Sequence, residues 1–326
     1  MSELRWNPFL DEWVITATHR QERTFLPPRD WCPLCPTRPG RPPTEIDRAD
    51  FEIAVFENRF PSLRPVPEPP AVEGTDLQPV RPAVGACEVI VYTPNHDARL
   101  ADSSVEHLER LVAVWAHRTV VLGAAPETAC VFIFENRGEA IGVTLHHPHG
   151  QIYAYPYVPA LIGREVAAAR IATEEGSGCP WCRSQRDELS DGRRIVAEND
   201  AWVAGVPFAA RWPYELHLVP RRHVGWLHEL DRAERRALAE LLRAVVRGYD
   251  GLFGFPLPYI MALHQRPTDG GSHDGYHLHL EFYPPHRTKT KLKYLAGSET
   301  GAGAFINDTL PEETAPLLRA AIEAAT

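Results

Sequence analysis

Apolar residues recur at helical spacing in two stretches of the chain. In SSVEHLERLVAVWAHRTV (103–120), Leu108, Leu111, Val112 and Trp115 fall at i, i+3, i+4 and i+7, one face of a helix. Ser103 or Ser104 can cap it. LDRAERRALAELLRAVVRGY (230–249) has a second helical pattern, with Asp231 as the candidate cap. Around each helix lie runs rich in Val, Ile, Phe and Trp that read as strands. The first half has FEIAVFENRFP, ACEVIVYTP, CVFIFENRG and IGVTLHHPHGQIYAYP; the second has AWVAGVPFAARWP, YELHLVP, YIMALHQ and YHLHLEFYPP. The proline cluster at 61–70 predicts an extended connector, and 264–275 (HQRPTDGGSHDG) a mobile loop.

The same order of features occurs twice. Cys32-Pro33-Leu34-Cys35 and Cys179-Pro180-Trp181-Cys182 are each followed by a polar, turn-rich stretch, then strands. The strands end near His96 in one half and near His223 in the other, and a helix and a His-rich strand follow. The two His-rich strands align His147 with His277, His149 with His279 and Gln151 with Glu281. Four coincidences in order point to an internal duplication. The expected fold is therefore α+β, two repeats of mostly antiparallel sheet with flanking helices, related by a pseudo-two-fold axis. The halves divide at 1–165 and 166–326.

Composition narrows the function classes. A chain of 326 residues that is 44% hydrophobic can bury a large core. A net charge of −9 disfavours a nucleic-acid partner, although a nucleotide needs only a local cationic pocket. The N-terminal residues show no signal peptide and no stretch reaches 18 apolar residues, so no membrane partner is expected and the cytoplasm is the expected compartment. Paired cysteines in a reducing compartment read as metal ligands. The first repeat offers Cys32, Cys35, His96 and His147, the second Cys179, Cys182, His223 and His277. Each is a closed, four-ligand set of the type structural Zn²⁺ favours. A redox reading fits less well, because proline-rich sequence follows Cys35 where a thioredoxin-like motif would open a helix. Cys87 and Cys130 sit in apolar strands and are expected to be buried.

The TLHHPHGQIYAYP stretch (144–156) carries the candidate chemistry. A neutral imidazole at His149 is a nucleophile near pH 7. Gly150 leaves space for a bulky group, and Gln151 can donate an amide hydrogen to a phosphoryl oxygen without adding negative charge. Glu281 at the matching place would repel a phosphate, so the second repeat is expected to be catalytically silent.

HPHGQ (147–151), with Cys32-x-x-Cys35 upstream, FENRG (134–138), and RWNPFLDEWVITATHRQER, FYPP and KYLAGSETGAGAFIND elsewhere, resembles the galactose-1-phosphate uridylyltransferases, a duplicated branch of the histidine-triad fold. The resemblance runs nearly end to end. It implies a two-step transfer in which His149 takes UMP from UDP-glucose and galactose 1-phosphate then removes it as UDP-galactose. It also implies substrate contacts from Arg20, Arg23, Asn58, Asn136 and Thr144, hexose-phosphate contacts from Lys293, Ser298 and Glu299 in a C-terminal tail, and a homodimer whose partner supplies that tail. Histidine-triad hydrolases carry a third histidine where Gln151 stands, which points to transfer rather than hydrolysis. Some members hold a second metal through a glutamate and three histidines. Glu165, His264 and His279 match, but Glu281 replaces the last histidine, so the Cys179 set is favoured and Glu165 and His264 are expected to be surface or hydrogen-bonding groups. Two Zn²⁺ sites are expected, with iron in one of them as the alternative. Rival readings are an ADP-glucose phosphorylase, a nucleotide hydrolase and a non-catalytic zinc-stabilised nucleotide-binding protein.

Overall fold

The computed structural model describes residues 2–22, 26–27, 31–40 and 42–325. In chain order the elements are β1 (Ser2–Asn7), β2 (Glu12–Ala17), β3 (Ala54–Glu57), β4 (Val80–Pro82), β5 (Ala86–Val91), α1 (Val105–Gly123), β6 (Cys130–Arg137), β7 (His149–Tyr155), α2 (Ala160–Glu174), α3 (Pro180–Asp191), β8 (Ile195–Glu198), β9 (Trp202–Gly205), β10 (Leu216–Pro220), α4 (Arg232–Leu252), β11 (Tyr259–His264), β12 (His279–Tyr283) and α5 (Pro311–Ala325).

Both expected helices form with the expected caps. Ser104 accepts from the His107 amide, and Asp231 accepts from the Glu234 amide while the Glu234 side chain reaches back to Asp231. Leu108, Leu111, Val112 and Trp115 are all buried.

A nine-stranded antiparallel sheet, ordered β3-β5-β7-β6-β11-β12-β10-β9-β8, carries the duplication. Reading outward from the β6–β11 pair, β6, β7, β5 and β3 mirror β11, β12, β10 and β9. The α+β arrangement of two sheet-and-helix repeats is the one expected. A separate three-stranded sheet, β2-β1-β4, was not legible in the pattern.

Register explains where the chemistry lies. Ile152, Ile133, Leu263, Leu280 and Leu218 pair in succession across both halves. This row belongs to the main core, together with α1, α4 and α5. Each such side chain contributes about 1.5–3 kcal/mol on burial. Alternate residues point to the other face. There Val89, Gln151, Phe134, Ala262, Glu281 and His217 form the matching row. Helices α1, α4 and α5 pack on that first face, while α2 and α3 and the Cys loops lie over the opposite one, which carries the candidate chemistry.

Two local expectations need correction. Cys179 caps α3, so the second Cys-x-x-Cys opens a helix rather than a turn-rich stretch. Proline at the first helical position makes that possible. The segment after β11 is not wholly mobile: Gln265 is buried, accepts from the Leu227 amide and donates to Thr119. Cys87 and Cys130 are buried, as expected.

Candidate functional site

β7 begins at His149, so His147 and His149 do not sit on a regular alternating strand and their rings serve different places. His147 is buried and turns Nδ1 toward Cys35 Sγ at 3.5 Å and Cys32 Sγ at 4.0 Å. Its Nε2 donates to the Thr93 carbonyl at 2.7 Å, which leaves Nδ1 as the nitrogen that could take a metal. His96 Nδ1 lies 3.5 Å from Cys35 Sγ. A tetrahedral zinc with ordinary bond lengths separates sulfur from nitrogen by about 3.6 Å. Burial pushes the Cys32 thiol up to about 12, so a bound cation would be what makes it a thiolate.

His149 faces elsewhere. Its Nδ1 donates to the His147 carbonyl at 2.7 Å, which leaves the Nε2 lone pair as the nucleophilic position. Burial lowers its pKa, opposed in part by that hydrogen bond, so the ring is neutral at physiological pH. The ring opens on a cleft of about 640 Å³ that is also lined by Arg20, Leu34, Phe56, Asn58, Thr144 and Gln151. Asn58 Nδ2 donates to Gln151 Oε1 at 3.4 Å, so the Gln151 amide nitrogen is left to donate. Arg20 is anchored from behind by the Phe60 carbonyl and the Ser62 and Tyr153 hydroxyls. Arg23 lies outside the described residues. Asn136 lines a neighbouring cavity that also reaches His149. The third histidine of the stretch, His146, is half exposed and turned to Glu139 at 3.3 Å.

Gly150 has a different reason from the one expected. A Cβ there would stand 2.3 Å from the Tyr92 hydroxyl and 3.2 Å from the Phe134 carbonyl. Buried Tyr92, not a ligand, demands the glycine. Gly150→Ala is therefore expected to cost about 1–3 kcal/mol of stability and to lower turnover, as measured by thermal melting alongside an activity assay.

The tail residues lie apart from this cleft. Lys293 Nζ donates to Glu299 Oε1 at 2.8 Å and holds that carboxyl below the usual range. Ser298 Oγ donates to the Ala304 carbonyl. None of the three lines either cavity at His149.

Two more groups of side chains could hold a metal. Cys179, Cys182 and His223 converge, with His223 Nδ1 3.5 Å from Cys182 Sγ and its Nε2 donating to the Asp274 carbonyl. His277 stands beside them, 4.9 Å from His223 between ring centroids, its Nε2 buried without a partner. The other group is Glu165, His264, His279 and Glu281. His264 Nδ1 lies 3.0 Å from Glu165 and His279 Nε2 3.4 Å from Glu281. These are not surface groups. His264 is buried, and Tyr276 donates to Glu165 at 2.6 Å. Burial opposes ionisation of Glu281, but His217 and His264 outweigh it and hold the carboxyl well below its ordinary value. His279 Nδ1 donates to the His277 carbonyl at 2.8 Å, the same anchor that His149 uses. Its other nitrogen meets carboxylates, where His149 meets an open cleft. Adjacency in the sequence did not signal this convergence, because its residues come from α2, β11 and β12.

Residues 1–159 match the family model for the galactose-1-phosphate uridyl transferase N-terminal domain, and 179–325 that for the C-terminal domain. A galactose-1-phosphate uridylyltransferase of Thermotoga maritima is 41% identical over 98% of both chains. That of Streptomyces lividans is 40% identical over 98% of this chain and 86% of its own. A solved uridylyltransferase structure superposes with a TM-score of 0.88 at 36% identity, covering 99% of each chain. An ADP-glucose phosphorylase from Arabidopsis thaliana shares the fold, with a TM-score of 0.72 at 22% identity over 98% of both chains.

Proposed function

Since the chain belongs to the galactose-1-phosphate uridylyltransferase family, we propose the roles that its own residues play in moving UMP between UDP-glucose and galactose 1-phosphate. One observation carries the reading: His149 is held by the His147 carbonyl with Nε2 at a cleft that also contains Gln151, Asn58 and Arg20. Nε2 attacks the α-phosphorus of UDP-glucose. The bond from that phosphorus to the bridging oxygen breaks, and glucose 1-phosphate leaves with the electron pair. The ring, now carrying uridylyl, keeps its Nδ1 proton on the His147 carbonyl, which favours the positive charge. An oxygen of galactose 1-phosphate then attacks the same phosphorus and imidazole leaves, giving UDP-galactose and restoring neutral His149. The Gln151 amide and Arg20 donate to the phosphoryl oxygens. Asn58 orients Gln151 and the nucleoside, with Arg23, Asn136 and Thr144 as further contacts.

Gln151→Glu tests the donor. Its carboxylate faces phosphate, so turnover is expected to fall roughly 10²–10³-fold with folding unchanged. Mass spectrometry after mixing with UDP-glucose is expected to show a uridylyl adduct on His149. An adduct formed only with ADP-glucose overturns the uridylyl reading.

Two zinc ions are assigned to Cys32, Cys35, His96 and His147, and to Cys179, Cys182, His223 and His277. The donor chemistry and the convergence of the first four side chains, and of Cys179, Cys182 and His223, support the assignment, and His277 completes the second set by its match to His147. In the first site a bound cation would tie the Cys loop to the segment that carries His149. The catalytic half spans 1–165 and the silent half 166–326, with α2 straddling the join. Lys293, Ser298 and Glu299 are proposed to reach the hexose phosphate of the partner subunit in a homodimer, a reading supported by exposed Tyr294 and Ile306 on the same segment. No helix is long and apolar enough to cross a membrane among the described residues. A reducing, cytoplasmic location suits the free thiols at both proposed metal sites.

A further inference from the structure

The duplicated sheet gives the nucleotide cleft a counterpart. In the first repeat Phe56 pairs with Val89, and Val89 with Gln151. In the second, Gly205 pairs with His217, and His217 with Glu281. The cavity around Gly205 and His217 is an open pocket of about 540 Å³, solvent included, against about 640 Å³ for the equally open cleft at His149. Trp181 lines it where Leu34 lines the first, each within its Cys-x-x-Cys, and Phe208 stands where Arg59 stands, three residues past the paired position. The position in the sheet has been kept while the polar lining has been exchanged.

We propose that this second cavity binds an uncharged nucleoside, without catalysis. The inference rests on the first cleft being the nucleotide site. A flat base can lie against the Trp181 indole and the face of the exposed Phe208 ring away from Arg194, whose guanidinium covers the other at 5.1 Å, because every base has a π-face. Gln185 commits its amide nitrogen to the Val219 and Pro220 carbonyls, so its oxygen is the atom offered to a base N–H. Ser184 adds a hydroxyl at the wall.

The charges disfavour phosphate. Glu188 lines the cavity, and the His217 imidazole that also lines it is already engaged by Glu215 at 2.9 Å and Glu281 at 3.2 Å. The nearby cation, Arg194, is engaged by Glu188, Asp191 and Glu312. Pro207 replaces Asn58, and the imidazole matching His149 is closed off among Glu165, His264 and Glu281. A nucleoside can therefore be held while a nucleotide is turned away.

The test is ¹⁹F NMR of 5-fluorouridine titrated into the full-length protein, with and without saturating UDP. Two bound equivalents are expected, one displaced by UDP and one resistant to it. Ser184→Trp, an exposed helix position at the mouth, should remove the resistant equivalent with uridylyl transfer unchanged. Phe208→Ala should weaken it about tenfold. Absence of UDP-resistant binding, or its survival in Ser184→Trp, overturns the proposal. Failure of the functional reading looks different: UDP-glucose then leaves no adduct on His149, whatever 5-fluorouridine does.

Discussion

Replacing His149 with alanine is expected to lower nucleotidyl transfer by roughly 10⁴-fold or more and to abolish the uridylyl adduct, with metal content unchanged. No neighbouring imidazole can take over. His147 turns Nδ1 to the cysteines and gives Nε2 to the Thr93 carbonyl, and His146 is turned to Glu139. The ring itself accounts for few contacts in the main core, so the variant should melt near the parent temperature. Single-turnover assays with radiolabelled UDP-glucose, read beside elemental analysis, check this. Retained turnover with no adduct would replace the covalent route by direct transfer. Loss of a metal ion together with activity would make His149 a ligand.

Cys32→Ser carries the second large effect. Cys32 belongs to a small cluster with Leu34, Ile46, Val89 and Val91 that fastens the Cys loop onto β5. Without a cation its buried thiol stays protonated and contributes only packing. With one, it would be a thiolate ligand alongside His96 and His147. The variant is expected to lose one metal per chain and roughly 4–5 kcal/mol of stability, seen as a fall in melting temperature on the order of 10 °C. Because Pro33 and Leu34 line the proposed nucleotide cleft, the KM for UDP-glucose should rise as well. Cys179→Ser should also lose one metal and some stability, but with KM unchanged, because its loop borders the other cavity. Equal effects on KM from both variants would contradict the division of labour between the halves.

The duplication was readable because it rests on spacing: Cys-x-x-Cys, a helix with a four-residue apolar stripe, and a histidine pair recur in order. Helices α2, α3 and α5 were missed because their apolar stripes are short and interrupted, and tertiary packing completes them. The β2-β1-β4 sheet was missed for a related reason. β1 and β2 pair across a short turn, but β4 joins them only after more than sixty residues that include β3, and only that long-range pairing completes the sheet.

By itself the sequence determined the residue types that can act: an imidazole beside an amide rather than a third histidine, and cysteine pairs placed for a closed metal site. Tertiary structure alone decided which nitrogen of each ring acts, because that depends on the carbonyl that takes the other nitrogen. It also decided that His279, matched to His149 residue for residue, meets two carboxylates instead of a substrate cleft. Strand alternation is local and survives in a string of letters. The environment of a side chain is set by partners from α2 and β11, brought beside it only when the sheet closes its register.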